Sequence, residues 1–107
     1  MGRILVANLQ LAVNGIYFDA MKRGEKPEEY RLYNDYWFKR LVGRSYGRLI
    51  ITKGYPRRDD MSRRIDVPYT GYEIKTITHP FFGSDPVKVF AIKVNINAKI
   101  VKHRASA

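Results

Sequence analysis

The stretch RGEKPEEYRLY, residues 23–33, is more than half charged, and its second half alternates in the manner of a β-strand. Because successive side chains of a strand point to opposite faces, Glu29, Arg31 and Tyr33 are predicted to share one face. The opposite face would hold the intervening residues, Glu28, Tyr30 and Leu32. Charged side chains on both faces are unexpected for a strand in so small a protein, so this stretch is the first candidate for a functional role.

A helix is predicted immediately before this strand. Asn14 is placed to cap a helix over residues 15–23, and Gly24 follows where a C-terminal cap belongs. Pro27 then prevents the helix from continuing. The strand at residues 28–33 is therefore expected to begin directly after a tight, helix-ending turn.

The rest of the chain predicts a second short helix and four more strands. Asn34 or Asp35 caps the helix YWFKRLV, which ends at Gly43, and Trp37 and Leu41 share its apolar face. The further strands are expected at residues 3–11, 47–54, 72–78 and 87–96. This order predicts an α+β fold, a small pseudo-β-barrel of about five to six mostly antiparallel strands with two short helices.

A long segment between two of these strands, residues 55–71, has little apolar content and is predicted to be a loop. Loops of this length are often functional or mobile. Four arginines in two adjacent pairs suit phosphate contacts, and these are Arg57, Arg58, Arg63 and Arg64. The alternative is a solvated loop whose three aspartates satisfy the arginines internally, namely Asp59, Asp60 and Asp66.

The 107-residue chain is predicted to form one domain over residues 1–107, with a basic, flexible tail at about 97–107. Twenty Lys and Arg residues against ten Asp and Glu give a net charge of +10, which favours a polyanionic partner such as RNA or DNA. Eight tyrosines interleaved with arginines favour single-stranded RNA over a duplex, unless most of these rings simply fill the core. An acidic protein is the alternative partner for the same charge.

Purely basic residues cluster in two further places. One set surrounds the second predicted helix and contains Lys39, Arg40, Arg44 and Arg48. The other lies in the tail and contains Lys99, Lys102 and Arg104. These sets carry much of the surplus charge, because the arginines of residues 55–71 are nearly balanced by aspartates.

The chain has no cysteine, which excludes disulfides, thiolate metal sites and cysteine nucleophiles. Its two histidines, His79 and His103, are too far apart for a metal site of the usual spacing, and no glycine-rich phosphate loop is present. No metal and no cofactor are therefore predicted, and a lone histidine is more often structural than functional. No apolar run approaches the ~18 residues of a membrane-spanning helix, so no membrane partner is expected.

A helix ending in a Gly-x-Lys turn, followed by a strand with Glu and Arg two apart, resembles the ASCH domain of the PUA-like superfamily. The residues that carry this resemblance are Gly24, Lys26, Glu29 and Arg31. The similarity continues in LIITKGYPRRDD, residues 49–60, and GYEIKTITHPFFG, residues 71–83, which resemble small ASCH proteins of bacteria and their phages. It covers roughly residues 4–96.

The resemblance implies a PUA-like pseudo-barrel with a cleft beside the helix–strand turn, and RNA as the ligand. It also implies an alternative, because some ASCH proteins are enzymes that deacetylate N4-acetylcytidine or cleave RNA; Lys26 would then be the reactive group. In the amidohydrolase pattern a threonine follows the turn lysine by three residues, whereas this chain has Glu29 there. The expected location is the cytoplasm, or the host cytoplasm if the protein is phage-encoded.

The predicted cleft residues form a recognition set for an unpaired nucleotide. Arg31 supplies a planar donor fork, Glu29 accepts from exocyclic amines and holds Arg31, and Tyr33 offers a stacking face. Lys26 is expected to stay charged beside Glu29, although desolvation near Arg31 would instead favour a neutral, reactive amine. On the residues alone, Glu29 and Arg31 also fit an ordinary ion pair of a solvated sheet. The full predicted nucleic-acid-binding set is Lys26, Glu29, Arg31, Tyr33, Lys53, Tyr55, Arg57, Arg58, Arg63 and Arg64.

Overall fold

The computed structural model describes residues 6–96. In chain order its elements are β1 (Leu9–Val13), α1 (Gly15–Lys22), β2 (Glu28–Leu32), α2 (Asp35–Leu41), β3 (Arg48–Lys53), β4 (Arg64–Pro68), β5 (Tyr72–Ile77) and β6 (Val87–Lys93). Two 3₁₀ turns, Met61–Arg63 and Pro80–Phe82, precede β4 and β6. The predicted tail at 97–107 and the start of the first predicted strand lie outside the described residues.

The six strands form two three-stranded sheets, in the orders β1-β3-β4 and β2-β6-β5. All pairs are antiparallel except β1 with β3, which are parallel. The predicted α+β class, with mostly antiparallel strands and two helices, is confirmed. Over residues 6–96 the two sheets do not close into a barrel, because no ladder of hydrogen bonds joins one sheet to the other there. A barrel requires a continuous ladder, whereas these sheets meet through apolar side chains. The PUA-like form of the predicted pseudo-barrel stays a prediction.

The core lies between the sheets and is closed by the helices. Strand β6 crosses it with four successive buried residues, Val89–Ile92, while β1 alternates buried and exposed positions. Phe18 and Met21 from α1 and Leu41 from α2 complete the cluster with almost no exposure. The two helices are therefore held by burial of one apolar face, as expected for helices this short.

Residues 55–71 are not the structureless loop that composition predicts. Ile65 and Val67 are buried in β4, which pairs with β3 over five residues from Arg64 to Pro68. The alternation was obscured in the sequence because Arg64 and Asp66 occupy the intervening positions of the strand. Two apolar residues are enough to hold β4 in place because β3 supplies its hydrogen-bond partners and the core supplies the surface against which Ile65 and Val67 pack.

The turn that leads into β2 follows its prediction closely. Gly24 has φ +78°, a left-handed conformation that glycine adopts without steric cost. The N–H of Gly24 bonds to the carbonyl of Met21, and those of Glu25 and Lys26 bond to that of Ala20. These bonds satisfy the last carbonyls of α1 and fix where Lys26 leaves the helix.

The predicted caps are confirmed in position. Asn34 accepts a hydrogen bond from the N–H of Trp37 at 3.0 Å, which caps α2. Asn14 occupies the N-cap of α1, but its side chain makes no capping bond. Among residues 6–96, neither helix has the length or apolar content needed to cross a bilayer.

Candidate functional site

A cleft of about 300 Å³ opens where the N-terminus of α1, the strand β2, the helix α2 and the turn Pro80–Phe82 meet. Its walls mix aromatic, cationic and carboxylate side chains. The residues that line it are Ala12, Val13, Asn14, Tyr17, Lys26, Glu29, Tyr30, Arg31, Leu32, Trp37, His79, Phe81 and Phe82. Three of the predicted site residues, Lys26, Glu29 and Arg31, are thus brought together in one cavity.

Glu29 and Arg31 form a bonded pair in the cleft. Arg31 Nε and Nη2 lie 3.0 and 2.8 Å from Glu29 Oε2. The side chain of Glu29 is only 10% exposed, and its burial raises the pKa of the carboxyl even though Arg31 and Lys26 act to lower it. The alternation of β2 placed both residues on one face, as the sequence predicts, but the burial distinguishes this pair from a solvated surface pair.

Arg31 also joins the two sheets. Its Nη2 donates to the carbonyl oxygen of Ala12 in β1 at 3.0 Å, and its guanidinium lies 5.0 Å from the centre of the Trp37 ring. One arginine therefore connects β2, β1 and α2 across the floor of the cleft. Such a side chain is held in place before any ligand arrives, which reduces the entropic cost of binding.

Lys26 stands over aromatic rings beside this pair. Its Nζ is 4.3 Å from the ring centre of Tyr30, 5.4 Å from that of Tyr17 and 4.0 Å from Glu29 Oε1. Burial lowers the pKa of Lys26, and this effect outweighs Glu29 and Glu28, which act to raise it. The net direction is thus opposite to the one expected from the neighbouring carboxylate alone.

The remaining wall of the cleft is aromatic. His79 Nδ1 accepts a hydrogen bond from the N–H of Phe81 at 3.1 Å, which orients the imidazole. Its ring meets those of Tyr17 and Tyr30 edge-on, with centroids 5.6 and 6.0 Å apart. Phe82 adds a tilted ring 6.1 Å from His79. These rings give the cleft flat apolar surfaces next to a charged floor.

Tyr30 lines the cleft although alternation assigns it to the opposite face from Glu29. Among the strands of residues 6–96, β2 pairs with β6 alone, so its second edge is open to side chains from both faces. The Tyr30 hydroxyl donates to Glu28 Oε1 at 3.2 Å, and Lys75 bonds to the other oxygen of Glu28 at 2.7 Å. These bonds hold the ring against Lys26.

The other predicted site residues lie outside the cleft. Tyr33 follows the end of β2 and stacks on Phe90 at 4.9 Å, with Lys88 Nζ 4.2 Å above its ring. Lys53 binds Asp19 at 3.1 Å, and Tyr55 is 96% exposed. Tyr33 leaves the predicted face because β2 ends at Leu32 and strand alternation ends with it.

The four predicted arginines of residues 55–71 are largely engaged with their own segment. Arg57 and Arg63 lie 3.9 and 3.3 Å from Asp59 and Asp60, respectively. Arg64 Nη2 donates to the carbonyl of Arg57 at 3.2 Å, and Arg58 is exposed. Two of the four arginines thus lie beside an aspartate of the segment, whereas the third aspartate, Asp66, binds Arg48 of β3. The basic tail residues Lys99, Lys102 and Arg104 lie outside the described residues.

Sequence reasoning did not assign Tyr17, Trp37, His79, Phe81 or Phe82 to the site. Trp37 was predicted to be a core residue, and it does pack partly against the core, but one part of it faces the cleft. The signal for His79, Phe81 and Phe82 was the aromatic cluster THPFF at residues 78–82. Its position opposite α1 depends on the pairing of β5 with β6, which local patterns do not reveal.

Comparison of the chain with protein-family models, with curated proteins and with solved structures found no match. The resemblance to ASCH domains therefore stays a proposal. Within residues 6–96, no cluster of three or more His, Asp or Glu side chains is arranged to hold a metal ion. The chemistry available in the cleft is hydrogen bonding, charge and stacking, together with one lysine amine of lowered pKa.

Proposed function

We propose that the protein is an RNA-binding module of the ASCH type that takes one unpaired nucleotide into the cleft. The observation that carries the proposal is the buried Glu29–Arg31 pair on the floor of an aromatic-walled cavity with Lys26 at its side. A carboxylate beside a guanidinium offers an acceptor and donors to one base edge. Rings beside that edge provide the stacking surface that unpaired bases use.

The size of the cleft favours a single nucleotide. A volume of about 300 Å³ lies at the lower end of the range for small-ligand pockets. Stacking of one base on an aromatic side chain contributes ~1–3 kcal/mol and tolerates different bases. The net charge of +10 adds attraction to the phosphate backbone. Duplex RNA is disfavoured because its stacked bases do not reach such a cavity.

The second candidate function is a hydrolase acting on RNA or on an N4-acylated cytidine, with Lys26 as base or nucleophile. The observation that favours it is the lowered pKa of Lys26, since desolvated lysines gain reactivity by losing their proton more easily. Glu29 Oε1, at 4.0 Å from Nζ, acts against this by stabilising the ammonium form. Binding without turnover is therefore the primary proposal.

The test uses Trp37, which is the only tryptophan of the chain and lines the cleft. Its fluorescence should be quenched saturably by a five-nucleotide single-stranded RNA, because a base entering the cleft changes the environment of the indole. The same RNA presented as a duplex should quench weakly. Lys26→Gln should weaken the quenching, whereas Lys93→Gln, which removes the same charge outside the cleft, should not.

Two results would contradict the proposal. One is an absence of quenching at low salt, where electrostatic attraction is strongest. The other is equal quenching by single strand and duplex, together with an unchanged affinity in Lys26→Gln. Circular dichroism of both variants serves as the control for folding.

A further inference from the structure

The outer face of α2 carries an exposed ring and two cations, and a third cation, Arg44, follows the helix; none of the three has an acidic partner among residues 6–96. Tyr36 is 54% exposed, and the guanidinium of Arg40 lies 3.4 Å from the centre of its ring. Arg40 Nη1 bonds to the carbonyl of Tyr36, and Arg44 Nε bonds to that of Lys39. Within residues 6–96, no carboxylate lies within 4.0 Å of the charged nitrogens of Lys39, Arg40 or Arg44. These bonds to backbone carbonyls order the arginines without neutralising them.

This face is continuous with the cleft through a row of aromatic and cationic groups in contact. The guanidinium of Arg31 lies 5.0 Å from the ring of Trp37, on the floor of the cleft. The rings of Trp37 and Tyr36 meet edge-on at 5.1 Å, and Arg40 follows over Tyr36. From the interior of the cleft to the surface of α2 the order is thus cation, ring, ring, cation.

The other basic segment of the described chain lacks this combination. Arg57 and Arg63 face aspartates. Arg48, which the sequence groups with the cations around α2, lies in β3 and is bonded to Asp66 at 2.6 Å, so it does not belong to the unpaired set. The acidic residue within α2 is Asp35, which lies in its first turn, at the end away from Arg44. Among residues 6–96, α2 and the residues directly after it therefore carry three cations without an acidic partner, on the side to which the contacts from the cleft lead.

We infer that an RNA strand whose nucleotide occupies the cleft continues over α2, where Tyr36 stacks the adjoining base and Lys39, Arg40 and Arg44 contact phosphates. The inference rests on the proposed function, and it extends the site from one nucleotide to a track. Aromatic rings flanked by cations match single-stranded nucleic acid, whose unpaired bases stack on rings while its phosphates bind cations. An acidic peptide would use the charges but leave the exposed ring without a counterpart.

The first experiment compares two sets of variants that remove equal charge. One combines Lys39→Gln, Arg40→Gln and Arg44→Gln, and the other combines Arg57→Gln, Arg58→Gln and Arg63→Gln. A fluorescein-labelled 12-nucleotide single-stranded RNA of random sequence is titrated by anisotropy at several salt concentrations. The α2 set should reduce the slope of log K against log salt by about 2, since each lost contact to a single strand removes ~0.7. The other set should change the slope by less than half as much.

A second experiment tests stacking on Tyr36. Tyr36→Ala should weaken binding of the same RNA about 5-fold to 150-fold, the range expected for one base–ring stack. Tyr36→Phe keeps the ring and should bind like the wild type. A merely structural role of the tyrosine hydroxyl would affect both variants.

Quenching of Trp37 by cytidine monophosphate separates this inference from the proposed function. The α2 charge variant should retain that quenching, because a mononucleotide does not reach the track. If the α2 charge variant retains quenching by cytidine monophosphate and its salt slope with the 12-nucleotide RNA equals that of the wild type, the inferred track is wrong but the proposed function is not. If the wild-type protein binds no RNA, both the proposed function and the track are wrong.

A third experiment uses the wild-type protein, so that the inference can be tested even if a variant does not fold. Ultraviolet crosslinking to a 12-nucleotide RNA containing 4-thiouridine, followed by mass spectrometry, should identify peptides from α2 next to cleft peptides. Crosslinks confined to residues 55–64 would overturn the inference. So would a polyglutamate peptide of equal charge that binds α2 as tightly as the RNA does.

Discussion

Replacement of Arg31 by Ala should destabilise the protein far more than a typical surface arginine replacement. Removal of the Arg31 side chain leaves the carboxylate of Glu29, whose side chain is 10% exposed, without its bonded partner. It also leaves the carbonyl oxygen of Ala12 without its hydrogen-bond donor. Hydrogen bonds to charged groups contribute ~1.5–3 kcal/mol, and breaking one side of a buried pair costs ~3–5 kcal/mol. Since Arg31 is 21% exposed and Lys26 remains 4.0 Å from Glu29, we expect a loss of about 2–4 kcal/mol at pH 7.

The assay is urea unfolding followed by circular dichroism. A loss of this size should also lower Tm by roughly 10–20 °C in a domain of about 100 residues. Arg48→Ala is the matched control, because Arg48 binds Asp66 at 2.6 Å but the two side chains are 42% and 50% exposed. That exposed pair should contribute only ~0–1 kcal/mol.

The loss caused by Arg31→Ala should depend on pH in a defined direction. Burial holds the pKa of Glu29 above its unfolded value, so the folded state favours the protonated acid, and this contribution is lost as pH rises through the folded pKa. Without Arg31 that pKa rises further, so the variant is penalised most when Glu29 is ionised. The stability difference should therefore shrink as pH falls from 7 through the pKa of Glu29.

Two results would refute this reasoning. One is a loss below 1 kcal/mol at pH 7, equal to that of Arg48→Ala. The other is additivity of Arg31→Ala and Glu29→Gln in a double-mutant cycle, because groups that interact directly are expected to be coupled.

Four further predictions test the binding site and the core. Wild-type binding to single-stranded RNA should follow a log K against log salt slope of about −3.5 for ~5 phosphate contacts, and a salt-independent affinity would remove the electrostatic argument. Lys26→Arg should retain most of the RNA affinity, and neither protein should release product from RNA or N4-acetylcytidine; product formed only by the wild type would favour the hydrolase. Burial lowers the pKa of Lys26, so the contribution of Lys26 to RNA affinity should be present at neutral pH and disappear as pH rises through its lowered pKa. The RNA affinity of Lys26→Arg should not show this loss. Identical affinity profiles of the two proteins at alkaline pH would contradict the prediction. Leu49→Ala in the fully buried part of β3 should lose ~2–5 kcal/mol in urea unfolding, against less than ~1 kcal/mol for Ile74→Ala, which is 48% exposed; similar losses would show that the core is misplaced.

The sequence by itself determined the elements whose causes are local. Asn34 and Gly24 mark helix ends because capping bonds and a left-handed φ involve only neighbouring residues. The alternation of β2 likewise placed Glu29 and Arg31 on one face, since that face is set by the backbone pleat. These local rules also sufficed for the α+β class and for most strand positions.

The tertiary structure decided everything that depends on distant partners. Strand β4 forms around only Ile65 and Val67 because β3 pairs with it, and the two separate sheets follow from pairings between strands far apart in the chain. The aromatic wall of the cleft depends in the same way on bringing His79 against Tyr17 and Tyr30. The lowered pKa of Lys26 also belongs here, because desolvation is a property of the assembled cavity, whereas the sequence shows only the nearby carboxylates.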